Sequence, residues 1–169
     1  EVLYALGAED CIVGISGYTT RPARARKEKP KVSGFSTARI DRILAVEPDL
    51  VIAYSDLQAD IVRDLVKASV EVHVFNQHDL AGILRMIRSL GVLAGRAEAA
   101  EALAQGLEAQ LQAVRAKAPS LSRRPRVFFE EWNDPLISGI RWVSELIDAA
   151  GGIDCFAEES MSRAAKGRI

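Results

Sequence analysis

The residues able to do chemistry are few, and their spacing favours binding over catalysis. Glu130 and Glu131 could act as a general acid–base pair. Neighbours on a strand point to opposite faces, however, so one of them at most would meet a ligand. His73 and His78 flank a strand end beside Asp79 and could hold an ion weakly, but a metal site needs more ligands in a recognisable array. Cys11 and Cys155 are far apart in the chain and too few for a disulfide framework, so each is expected to be unpaired and buried. The glycine-rich phosphate loops, the nucleophile elbow GxSxG and the zinc motif HExxH do not occur. What remains is aromatic. Only 6% of the chain is aromatic, yet Tyr18, Tyr54 and Trp132 each fall at or just after an apolar run, with Phe35 and Trp142 at other element edges. Aromatic faces at strand ends suit a large, flat or greasy ligand, because they offer wide contact at low entropy cost.

These side chains must be carried by an alternation of strands and helices. Ile12 to Ile15 reads as a strand followed by the loop Ser16 to Thr20. Arg21 to Lys29 is polar, and Val32 opens another short extended piece. A helix near Ala38 to Val46 follows, with Ser36 or Thr37 as its cap and Ile40, Ile43 and Leu44 inward. Asp49 to Tyr54 is continuously apolar after its first residue, as a strand buried on both faces should be. A helix over Gln58 to Ser69 turns Ile61, Leu65 and Val66 inward, and Val70 to Phe75 is the next strand. Asp79 caps a helix to about Leu93. Arg96 to Lys117 carries Ala100, Leu103, Ala104, Leu107, Leu111 and Val114 on one stripe of period 3.6. Gly95 and Pro119 punctuate that helix, which would span about 30 Å. Beyond it come a strand over Arg126 to Phe129, a loop over Glu130 to Pro135, an extended Leu136 to Gly139, a helix over Trp142 to Ala150 stopped by Gly151-Gly152, and an irregular tail. The alternation predicts an α/β fold with parallel sheets. It divides into a lobe over residues 1–94, a long linking helix over 95–119 and the start of a second lobe over 120–169.

Composition sets limits on partners. The chain has 169 residues, 49% hydrophobic and 27% charged, with net charge −1, which describes a globular protein. The densest basic stretch, Arg21 to Lys31, is interrupted by prolines and a glutamate and reads as a solvated loop or short helix, so nucleic-acid binding is not expected. No apolar run is long enough to cross a membrane as a helix. The opening EVLYALG reads as the end of a helix stopped by Gly7, and the closing AAKGRI stops within a pattern, so both ends look truncated.

Several stretches resemble a known family. KVSGF followed by a helix and EPDLVIAY is similar to the first lobe of class III periplasmic substrate-binding proteins, the iron-siderophore and cobalamin group. FFEEWNDPLISGIRWVSELIDAAGG resembles the start of the second lobe in the cobalamin-binding branch, and ESMSRAAKGRI resembles the segment before that lobe's next helix. The resemblance implies a two-lobed, monomeric, non-enzymatic receptor outside the cytoplasm. The long helix would join the lobes as a strut, and a corrinoid would be held in the cleft and handed to an ABC permease, with no cofactor and no metal of its own. It implies ligand contacts at Tyr54 and Trp132, more weakly at Tyr18 and Phe35, with Trp142 nearby, and a transporter-docking acid at Asp60, where the family usually has Glu. Within the same fold, a ferric siderophore or haem is the alternative ligand, for which Arg141 and Tyr54 would matter. From another class, a chelatase would use Glu131 and His78 in close approach.

Overall fold

The computed structural model describes residues 1–169. The chain forms two compact units, residues 1–77 with 88–100 and residues 78–87 with 101–169. It is an α/β fold with mostly parallel pairing, as the alternation predicts.

In the first unit, β1 (Ile15–Ser16) pairs in parallel with β2 (Lys31–Ser33), and β3 (Val51–Tyr54) with β4 (Val72–Phe75). The short helices are α1 (Val2–Ala5), α2 (Ala25–Glu28) and α3 (Ile40–Leu44). Gly7 ends α1 at φ +64°, a conformation that a glycine adopts without strain. α4 (Ala59–Lys67) buries Leu65 completely, which contributes about 2 kcal/mol. Val66, one step of 100° round the helix, is 60% exposed rather than inward. Leu44 of α3 is likewise exposed. The expected cap of α3 at Ser36 or Thr37 does not form. Thr37 instead closes a turn by accepting the Gly34 amide at 2.7 Å, and the helix starts later, after Arg39. β3 is not buried on both faces either: Ala53 is buried, while Ile52 is exposed. β3 pairs only with β4, in a two-stranded sheet.

α5 (Leu80–Leu93) and α6 (Ala97–Lys117) each contribute residues to both units. Near their junction, Gly91 has no room for a Cβ because Ala100 occupies the space. Along α6, Ala100 and Ala104 are buried, whereas Leu107 and Val114 of the same stripe are exposed. No helix is long and apolar enough to cross a membrane.

In the second unit, β5 (Arg126–Val127) pairs in parallel with β8 (Ile153–Asp154). β6 (Glu130–Asn133) pairs antiparallel with β7 (Leu136–Ser138). The expected loop over 130–135 is therefore mostly a hairpin strand. All four residues of β6 are exposed, so it lacks the alternating apolar signal by which a half-buried strand is read. α7 (Arg141–Ala149) is closed at its C-terminus by Arg124, which donates to the Gly151 and Gly152 carbonyls at 3.3 and 2.6 Å and pairs with Asp148 at 2.8 Å. A cation there satisfies last-turn carbonyls and complements the helix dipole. The tail is not wholly irregular, since it supplies β8. Both cysteines are free, and neither is buried: Cys11 ends a surface 3-10 turn over Glu9–Cys11 and is exposed.

Candidate functional site

The parallel strands of the first unit bring the loops after β1, β2 and β3 to their carboxyl ends, where open α/β sheets take ligands. Ser16, the last residue of β1, fixes two of these loops. Its hydroxyl donates to the Gly34 carbonyl at 3.1 Å and accepts the Tyr18 amide at 3.2 Å. Tyr18 is 72% exposed and stands edge-on to Phe35, 39% exposed, with centroids 6.5 Å apart at 74°. Tyr54, half-buried, ends β3 opposite Phe75 of β4. The Gln58 side chain accepts the Tyr54 amide at 2.7 Å and donates to the Phe35 carbonyl at 2.7 Å. Tyr18, Phe35 and Tyr54 thus form one connected group.

Ser55, directly after Tyr54, is buried at φ +65°, ψ 165°. That region is essentially glycine's, and a serine in it costs about 1–3 kcal/mol. The residue is held by its amide on the Phe75 carbonyl at 2.8 Å and by its hydroxyl, which accepts the Leu57 amide at 3.2 Å. Ser55→Ala keeps the strain and loses the hydroxyl, so it should cost about 1–2 kcal/mol. Ser55→Gly loses the same bond but relieves the backbone and should melt above the alanine variant. Thermal denaturation of the two variants checks that order.

In the second unit, Trp132 sits on β6, 61% exposed, with its indole N–H on the Asp134 carbonyl at 3.1 Å. The hairpin carrying it is tied down by Arg168, whose side chain is 3% exposed. The guanidinium donates to the Ser138, Ser162 and Arg163 carbonyls at 3.2, 3.2 and 3.1 Å and to both oxygens of Glu131 at 3.0 and 2.9 Å. All the N–H groups of the fork are used. Sequence reading missed Arg168, because its partners lie as far as 37 positions away and leave no local pattern. Gln58 was missed as well, and its only sequence signal is an amide at a helix entrance.

The remaining candidates stand elsewhere. Trp142 lies in the first turn of α7, half-buried, and its amide donates to the His78 carbonyl at 3.1 Å. Arg141 is engaged by Glu145 at 2.9 Å and Asp79 at 3.5 Å. Those acids also accept the Leu80 and Gly82 amides at the start of α5, at 2.8 and 2.6 Å. Asp60, in the first turn of α4, has a side chain 86% exposed and pairs with Arg63 at 2.6 Å. The Arg63 guanidinium is held above its ordinary pKa, first by its hydrogen bond to Asp64 and then by the charge of Asp60. His73 packs its ring on Phe75 at 4.4 Å. No group of three or more His, Cys, Asp or Glu side chains gathers as a metal site requires.

An α/β scaffold with exposed aromatics at strand ends offers rings on which a flat ligand could stack. The family model described as "Periplasmic binding protein" matches residues 1–167, and the chain belongs to that family. A vitamin B12-binding protein of Vibrio campbellii is 28% identical over 163 residues, which is 95% of this chain and 58% of that protein. The periplasmic vitamin B12 binding protein BtuF of Vibrio cholerae superposes with a TM-score of 0.77 at 26% identity, covering 94% of this chain and 62% of that one. The periplasmic heme-binding protein RhuT of Roseiflexus, in its apo form, superposes at 0.79 and 25% identity, covering 95% and 64%. The chain thus spans about 60% of the length of these relatives.

Proposed function

We propose that the protein is the extracytoplasmic substrate-binding component of an ABC importer, and that its ligand is a corrinoid such as cobalamin. The observation that carries the reading is the pair of exposed aromatic rings just after β1 and β2 in the first unit, Tyr18 and Phe35; in the second unit Trp132 is exposed on β6. A corrin ring is broad, flat and largely apolar at its faces, and stacked aromatics hold such a surface with little ordering cost. Tyr54, beside this group, is a further proposed contact, and Trp142 a peripheral one. The work is binding, docking and release by a monomer, with no bond made or broken. The likeness to vitamin B12-binding proteins supports this ligand.

Haem is the second reading, supported by the likeness to a heme-binding protein. Anionic siderophores call for free cations, and Arg141 is already paired with two acids. A chelatase would need the Glu131 carboxylate, which Arg168 occupies.

Transport itself tests the function. Deleting the gene should abolish growth that depends on imported corrinoid, and leave growth on haem unchanged; the reverse pattern refutes the corrinoid assignment. Asp60 is proposed as the first unit's contact with the permease. Asp60→Lys reverses an exposed charge. It should reduce corrinoid uptake by about tenfold or more while the purified protein binds as before, because like charges facing each other across an interface are strongly unfavourable. Uptake at the wild-type rate would remove Asp60 from the docking surface.

A further inference from the structure

Gln58 occupies the N-cap position of α4, at φ −102° and ψ 9°, yet its side chain makes no capping bond. A short polar side chain such as Ser, Thr, Asp or Asn at that position ordinarily accepts from an amide of the first turn. This one reaches backwards instead. Its Oε1 accepts the Tyr54 amide and its Nε2 donates to the Phe35 carbonyl, both at 2.7 Å. Only one orientation of the amide fits, because a flipped group would set NH2 against N–H and oxygen against oxygen.

The strand geometry explains why the Tyr54 amide is available. β3 pairs with β4 alone. The amides of Val51 and Ser55 donate to the Glu71 and Phe75 carbonyls on that side. Amides alternate in direction along a strand, so that of Tyr54 faces the unpaired edge. The turn at Ser55, φ +65°, brings α4 back over this edge and places residue 58 within reach. From Phe35 the connection continues through its ring to Tyr18.

We propose that Gln58 is a positioning residue for the ligand-contacting aromatics of the first unit. It locks the loop after β2 to the end of β3, so that Phe35, Tyr18 and Tyr54 are held in one arrangement before the ligand arrives. The inference rests on the reading that these rings meet a ligand. Its physical basis is pre-organisation. Exposed rings on separate loops lose conformational freedom on binding, and a loop already fixed loses less. Gln58 therefore raises affinity by acting through Phe35 and Tyr18.

Two measurements on the full-length protein test this. The first needs no ligand: 3-fluorotyrosine is incorporated, and the fluorine resonance of Tyr18 is assigned with Tyr18→Phe. Gln58→Ala should move that resonance toward its position in unfolded protein, and Phe35→Ala should do the same. Gln58→Glu keeps an acceptor for Tyr54 but sets a carboxylate against the Phe35 carbonyl, and it should behave like the alanine variant. The second is calorimetric titration with cyanocobalamin. Gln58→Ala should weaken binding by about tenfold, and by less than about threefold when Phe35→Ala is already present. A Tyr18 signal unmoved in both Gln58 variants, or an equal loss with and without Phe35, overturns the positioning role. If the wild-type protein does not bind cyanocobalamin, the ligand assignment fails by itself, and the fluorine signal still decides whether Gln58 positions the rings.

Discussion

Replacing Arg168 with alanine is expected to lower the stability of the second unit by about 3 kcal/mol, the low end for breaking a buried ion pair. The change removes a side chain 3% exposed that joins the closing residues of the chain to the β6–β7 hairpin. It leaves three carbonyls and the Glu131 carboxylate without their donors. Glu131 is 41% exposed and can recover water, which is why the low end applies. Arg168→Lys keeps the charge but not the planar fork, so it should recover only part of the loss. Glu131→Ala leaves the guanidinium buried without its anion and should cost a similar amount. Both tryptophans of the chain, Trp132 and Trp142, lie in this unit. Tryptophan fluorescence during urea unfolding therefore reports on it selectively. A midpoint for Arg168→Ala equal to wild type would mean that the pair contributes nothing and that the hairpin is held by its own ladder.

Tyr54→Ala and Trp132→Ala are each expected to weaken corrinoid binding by about 1–3 kcal/mol, the range for losing a buried aromatic contact. That is roughly fivefold to more than a hundredfold in the dissociation constant. Neither change should unfold the protein: Trp132 is 61% exposed and Tyr54 is half-buried. Tyr54→Phe separates the two ligand readings. A stacking ring needs no hydroxyl, so corrinoid affinity should stay near wild type. If the phenolic oxygen ligated haem iron, the same substitution would abolish haem binding. Unchanged corrinoid affinity in both alanine variants would place the binding surface elsewhere on the fold.

Much of the scaffold is legible locally. EPDLVIAY reads as a strand because an unbroken apolar run lies between a proline and a polar turn, and β3 forms there. Arg96 to Lys117 reads as a helix from its periodicity, and α6 runs Ala97–Lys117. Gly7 and Gly151 stop helices at positive φ, as glycines after an amphipathic run should. The hairpin strand β6 could not be read, because pairing with β7 fixes it while its side chains face water. Burial was overestimated at Ile52, Leu44, Val66 and Cys11. The candidate aromatics came from their places at strand ends and from family resemblance. The side chains that hold them did not come from either source. Gln58 meets Phe35 across 23 positions and Arg168 meets Glu131 across 37. Such links depend on how strands and loops converge, which no local pattern encodes.

The proposed function has a corrinoid held against the exposed aromatics of this fold. Calorimetric titration of the full-length protein with cyanocobalamin, alongside haemin and a ferric siderophore under the same conditions, tests it most directly. Saturable one-site binding of cyanocobalamin is expected at micromolar concentrations or below, with haemin and the siderophore weaker. No heat with cyanocobalamin in that range, or tighter binding of haemin, would contradict it.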